Sequence, residues 1–460
     1  MYKTLIGFEG IFISWEQLRK QDGYWEETDK FRRSKALEFV QSISASNFPF
    51  WRERILSYAD TESDDLATFP IFYYFLEEFA KVHSAMALEL LSEDSDRLSK
   101  FLIPLLRGLW DGPAQLRLQS ILNVWINDGR HLYAIAKQFI NSPVLSLELL
   151  ERLQAKAVEL RDLSTIAMIL KVAATDVGES RHVAVSRLFI PALKSLTAAK
   201  DANWILDSWY SPEIRVFLGK LGRTEIDLVL DNLSYLDRID YQAEEILSLL
   251  AERSPEKVLE LLFRRLSSEE RDGISSDEYE AIPFQLHKLD KPLAEDAATT
   301  MRIARSNFDG DYGTFVWRGA RLIMMIFSQF PPEFEAELLR LINEGDEKDL
   351  EFVIAVLRNY DGQAFVQNVC KAIIRKIPFE SEWRTEVYVA LQNTGVVSGE
   401  YGFAEAYERK RTEIEGWLTD ESERVRTFAA WYIDGLDQMI DADRKRADEG
   451  NALRKHRFNE

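Results

Sequence analysis

The chain has 460 residues, more than one compact core accommodates, so it must form two or more domains or one elongated repeat array. Apolar residues at 46% and aromatic residues at 12% supply continuous cores, which excludes disorder outside the extreme C-terminus. The net charge of −20 opposes general nucleic-acid binding, and the single cysteine, Cys370, excludes an intramolecular disulfide and points to a reducing, cytoplasmic setting.

At the N-terminus charge returns too soon after Met1 for a secretory leader, and no uncharged apolar run anywhere approaches the roughly 18 residues of a membrane span. Ile11 to Trp15 reads as a short strand or an apolar lead-in, and residues 1–60 are expected to form an N-terminal capping segment. After a polar break from Asp60 to Asp65 comes a dense aromatic group, Phe69, Phe72, Tyr73, Tyr74 and Phe75, which suits either packing or a protein interface. Residues 101–200 carry 12 basic and 8 acidic side chains, against 11 and 22 in 201–300. Within the mildly basic stretch, Arg107, Arg117 and Arg130 would line a groove for an acidic ligand if the fold brings them together.

Helical periodicity dominates from there on. Val185, Leu188, Phe189, Ala192, Leu193 and Leu196 follow the i, i+3, i+4, i+7 stripe of a core-facing helix. Similar stripes run through Val258, Leu259, Leu261, Leu262 and Leu266, and through Phe334, Leu338, Leu339 and Ile342. Proline opens two of these helices, at Pro255 and at Pro331-Pro332, where its missing N–H has no helical partner to lose. Between them, Trp204, Trp209 and Tyr210 gather ahead of Pro212 and are candidate anchors for a protein partner, with packing between helices as the plainer reading. Short polar breaks at Asp128-Gly129, Gly345-Asp346 and Asp361-Gly362 favour antiparallel helical neighbours. Ile-Pro recurs at Pro104, Pro191, Pro283 and Pro378, spaced by roughly two 40–47-residue helical repeat units.

No chemical constellation stands out. Gly219 to Thr224 lacks the glycine spacing and Lys-Ser/Thr of a phosphate loop, and the five histidines are scattered. Asp176, Glu179 and His182 are interrupted by Gly178, and Asp309-Gly310-Asp311 lacks the downstream glutamate of a calcium loop and reads as a turn. Cys370 lies in an apolar series and reads as a core thiol, and no Gly-x-Ser-x-Gly occurs. Carboxylate pairs such as Glu244-Glu245 are too common in an acidic chain to signal catalysis. Arg264-Arg265, Arg409-Lys410-Arg411 and Arg444-Lys445-Arg446 read as solvated helix faces.

Leu418 to Ala430, with Asp420 ahead of Val425-Arg426 and small apolar residues, resembles the HEAT repeat. The resemblance implies stacked antiparallel helix pairs with Asp420 and Arg426 as turn and ladder residues; Asp420 is expected to cap a helix with Glu423 at its third position. Asp441 to Arg457 is similar to the C-terminal helical-repeat portion of bacterial STAND-type NTPases, which implies a sensor or scaffold in antiviral defence, although the NTPase core of those proteins has no counterpart here. The expectation is therefore an all-α superhelical solenoid of HEAT- or armadillo-like helix pairs over 61–440, with a charged tail at 441–460. It is expected to be a non-enzymatic module without metal or cofactor, taking a protein partner and no membrane. Nucleic-acid binding through 101–200 is the alternative.

Overall fold

A computed structural model describes residues 24–60, 70–110, 112–142, 144–175, 181–208, 211–267 and 279–458. Ile11 to Trp15, Phe69, Asp176, Glu179, Trp209 and Tyr210 lie outside them. The described residues are helical throughout, without a strand; one isolated bridge joins Arg238 and Glu280. The chain divides into two compact units, Met1–Tyr235 and Leu236–Glu460, a division that falls inside the stretch expected to be one array.

The first unit contains α1 (Tyr24–Ser42), α2 (Phe48–Ala59), α3 (Pro70–Val82), α4 (Ser84–Glu93), α5 (Leu102–Trp110), α6 (Gln115–Asp128), α7 (Leu132–Lys137), α8 (Leu147–Leu160), α9 (Leu163–Ala174), α10 (Arg181–Ala184), α11 (Ile190–Ala198), α12 (Trp204–Ser208), α13 (Pro212–Leu218) and α14 (Arg223–Leu233). Helices pack on their next-but-one neighbours in two rows: α1, α3, α5, α7, α9, α11 and α14 in one, α4, α6 and α8 in the other. The reversals are encoded locally. Gly129, at φ 71°, ends α6 with bonds from its own N–H to the Ile126 carbonyl and from Arg130 N to the Trp125 carbonyl. Asp162 then caps α9 by accepting from Thr165 N at 3.0 Å. Phe72 and Phe75 of the aromatic group are fully buried, with Phe72 edge-on to Phe101 at 4.8 Å. Gly108 lets α5 run against α3: a Cβ there would strike the Glu77 carbonyl and the Ala80 side chain.

The Val185 stripe contains a surprise. Residues Val185–Phe189 form a π-helical turn between α10 and α11, in which Ile190 N reaches the Val185 carbonyl. Leu188, Phe189, Ala192, Leu193 and Leu196 are buried as expected, but the inserted residue shifts the face by one position, so Ala184 is buried in place of the half-exposed Val185. Pro191 lies one residue beyond Ile190, which closes the turn; it has no N–H to give to the preceding turn, and its ring crowds the carbonyl four residues back. Pro104, by contrast, lies in the first turn of α5, where no such bond is lost. Pro283 is in a loop and Pro378 follows a helix end, so the four Ile-Pro marks are not equivalent positions.

The second unit contains α15 (Tyr241–Ala251), α16 (Pro255–Leu266), α17 (Asp290–Ala294), α18 (Ala297–Gly310), α19 (Tyr312–Thr314), α20 (Ala320–Ile326), α21 (Pro332–Glu344), α22 (Glu347–Leu357), α23 (Gln367–Lys376), α24 (Trp383–Gln392), α25 (Gly402–Ile414) and α26 (Glu423–Phe458). Again α16, α18, α21, α23 and α26 pack in succession, beside a second row of α15, α17, α20, α22 and α24. Pro255 and Pro332 open their helices as expected. A second π-helical turn, Phe315–Gly319, leads into α20. The 441–460 segment, expected to be a tail, is helical to Phe458 as the end of the 36-residue α26, tied to α25 by the Arg444–Glu408 ion pair and flanked by the Tyr401–Asp448 hydrogen bond of 2.6 Å.

Two basic clusters are not the solvated faces expected. Arg265 is 1% exposed and donates to the carbonyls of Ala281 at 2.8 Å, Leu236 at 2.7 Å and Glu280 at 3.0 Å, clamping a loop against α16. Lys410 is buried and donates to the carbonyls of Gly362 at 2.9 Å and Leu391 at 2.8 Å. Glu244, uninformative in sequence, is also buried, and its Oε1 accepts from three consecutive backbone amides, His287, Lys288 and Leu289, at 2.6 to 3.1 Å. Asp420 does not cap with Glu423 at the third position, because α26 begins at Glu423. Its carboxylate takes Ser422 N at 2.9 Å and pairs with Arg375 at 2.9 Å and Lys371 at 3.3 Å, while Arg426 binds the Asp420 carbonyl at 2.7 Å.

Candidate functional site

The second unit carries a face with three consecutive hollows. The first, an open cleft of about 830 Å³, lies between Tyr312 and Val316, the N-terminal half of α22, and the 376–386 turn into α24. The second, about 650 Å³, shares Val316 and Arg358 with the first and continues to Gln392, Asn393, Phe403 and Tyr407. The third, about 260 Å³, shares Trp317 with the second and is floored by the loop that Arg265 clamps, from Tyr279 to Phe284. All three belong to one unit, and adjacent hollows share walls.

Trp317 stands at the wall between the second and third hollows. It is 82% exposed, and its side chain makes no hydrogen bond or ring contact among the described residues. The π-helical turn explains its position. Phe315 points inward, stacked with Phe263 and set against Phe308 and Phe352, and its ring lies over Gly319, where a Cβ would come within 2.6 Å of Phe315 Cδ2. Two residues further on, on the opposite side of this turn, Trp317 points out. Phe284, 79% exposed, lines the third hollow under the Arg321 guanidinium, which lies 4.4 Å over its ring and donates to its carbonyl at 2.9 Å. A single aromatic side chain of this size yields on the order of 3 kcal/mol when a partner covers it.

The first hollow is electrostatically different. Its lining holds six carboxylates, Asp346, Glu347, Glu351, Glu380, Glu382 and Glu386, and two cations. Arg358 is paired with Glu386, and Lys376 donates to the carbonyls of Ile342 and Gly345. Asp346 completes a capping box with Asp349 at the start of α22, and Trp383 donates to Glu347 at 3.4 Å. The Tyr312 hydroxyl is held above its usual range by burial and by neighbouring Glu351, so it stays a neutral donor at physiological pH.

The residues singled out from the sequence fall elsewhere. Trp204 is 2% exposed and its indole donates to Asn232 Oδ1 at 2.7 Å; Asn232 in turn donates to the Asp201 carbonyl, so Trp204 belongs to the first unit's core. Arg107 is turned onto the carbonyls of Gln138 and Ile140 at the C-terminal end of α7, whereas Arg130, at its N-terminal end, pairs with Asp96 at 2.8 Å. Arg117 is exposed on α6. The three arginines therefore do not converge on one groove. Asp309 pairs with Arg305 at 2.5 Å and Asp311 caps Thr314 N, a turn's use of both acids. Among the described residues no cluster of His, Cys, Asp and Glu could hold a metal ion, and no helix is long and apolar enough to cross a membrane. Burial pushes the Cys370 thiol up to about 12, which keeps it protonated.

Comparison with known proteins found no family model and no curated relative that matches the chain.

Proposed function

We propose that this chain is a non-enzymatic interaction module, a scaffold or sensor that binds a polypeptide along the hollowed face of its second unit. The observation that carries the reading is Trp317: a tryptophan aimed into solvent by a π-helical turn, at the wall between two hollows, beside a second exposed ring at Phe284. Irregular helical turns and exposed aromatic anchors both concentrate at binding surfaces. The alternating rows of helices in each unit support a HEAT-like solenoid reading, since stacked helix pairs build such extended faces.

Nucleic-acid binding through 101–200 has less support, because Arg107 and Arg130 are engaged at opposite ends of α7. The two readings separate in one experiment. Polypeptides retained from lysate by the intact chain are compared with those retained by Trp317→Ala and by Arg117→Ala. The proposal expects Trp317→Ala to lose a reproducible set that Arg117→Ala keeps. Nuclease-sensitive retention lost only in Arg117→Ala would replace it with the nucleic-acid reading.

A further inference from the structure

We infer, resting on the proposed groove, that the segment taken by this face is basic: an extended stretch of polypeptide that lays an apolar side chain on Trp317 and places lysine or arginine side chains in the cleft beside α22. Charge complementarity carries the choice. Both cations of the cleft are engaged within it, Arg358 on Glu386 and Lys376 on backbone carbonyls. Asp346, Glu347, Glu351, Glu380 and Glu382 have no ion pair among the described residues.

Part of that acidity has a structural use, and the remainder does not. Asp346 caps α22 by accepting from Asp349 N and Glu347 stands in its first turn, where a carboxylate is favoured by the helix dipole, whereas Glu382 precedes α24 without a side-chain capping bond. Glu351 lies a turn inside α22, where it is hydrogen-bonded with the Tyr312 hydroxyl, and Glu380 lies in the turn that precedes α24; neither caps a helix. The carboxylates of Glu380 and Glu382 make no hydrogen bond or ion pair among the described residues, and a cationic side chain entering the cleft would pair with them. The other end of the face has the opposite sign, with Arg318 and Arg321 beside the third hollow, so a bound segment is also oriented.

The reach fits a short extended segment. The first two hollows follow one another along α24, from Trp383 to Gln392, a rise of roughly 14 Å at about 1.5 Å per residue, or the length of about four extended residues. Alternation of side chains along such a segment sends every second one toward the face.

The probes are three fluorescein-labelled twelve-residue peptides in which leucine alternates with lysine, with glutamine or with glutamate, titrated with the whole chain by fluorescence anisotropy. The lysine peptide should bind at least tenfold tighter than the other two, with affinity falling as salt rises. Glu380→Gln with Glu382→Gln should weaken the lysine peptide by about tenfold and leave the glutamine peptide unchanged. Trp317→Ala should weaken both. Equal affinity for the lysine and glutamine peptides, with both lost in Trp317→Ala, overturns the basic preference and leaves the groove reading standing. Lysine-peptide binding that survives Glu380→Gln with Glu382→Gln but falls with Glu148→Gln and Asp128→Asn in the first unit assigns the effect to the chain's overall charge and overturns the inference. Failure of all three peptides to bind removes the groove reading as well.

Discussion

The molecule uses a wide helical turn twice, and the two differ in what the neighbouring residues explain. In the first unit Val185–Phe189 is followed by Pro191, whose missing N–H and ring account for the widened turn; Leu188 and Phe189 face the core, and the outward Arg187 is paired with Glu151 at 2.6 Å. In the second unit Phe315–Gly319 is followed by no proline. Its consequence is a division of labour between neighbours: Phe315 enters an aromatic core while Trp317 is held out in solvent between two hollows. One irregularity has a local cause and an outward residue already paired within the chain; the other has a packed ring at Phe315 and an exposed one at Trp317. An irregular turn is thus informative about function when local chemistry leaves its outward residue without a packing role.

That contrast can be broken at three points. Arg265→Met removes the clamp beneath the third hollow and leaves several buried carbonyls without a donor; a loss of about 3 kcal/mol in urea unfolding is expected, with faster amide exchange across 279–289. A loss under about 1 kcal/mol would show that Glu244, from the other side of the loop, holds it alone. Gly319→Val drives a side chain into the Phe315 ring and should cost about 2 kcal/mol while disturbing Trp317, linking the inward and outward residues of the second turn. Pro191→Ala should change stability by less than about 1 kcal/mol, since a gained hydrogen bond offsets a looser unfolded chain. Its informative readout is structural: the first turn should close to regular α-helix, and persistence of the π-turn would remove proline as its cause.

Legibility in the sequence divides along the same line. Stripes with helical spacing are readable because burial of a periodic face depends only on the local period: Val258, Leu259, Leu261, Leu262 and Leu266 are all buried. The wide turn at Val185 shifts its stripe by one residue, which periodicity alone does not reveal without weighing Pro191. Arg265, Lys410 and Glu244 are opaque for a different reason. Their partners are backbone atoms of loops 15 to 49 residues away, and backbone atoms carry no sequence signature. Trp317 does leave a readable trace: it stands two residues from Phe315 and five from Leu322, off any stripe that contains both. Trp204 shows the converse, for a tryptophan close to two other aromatics in sequence is an internal side chain hydrogen-bonded to Asn232.

The central claim is that Trp317 serves a partner and not the fold. Trp317→Ala measured for urea unfolding and for polypeptide retention on the same preparation tests it most directly. The account predicts an unfolding free energy within about 0.5 kcal/mol of the parent chain, as for an exposed side chain, together with loss of the retained set. A destabilisation above about 2 kcal/mol, or full retention at unchanged stability, would contradict it.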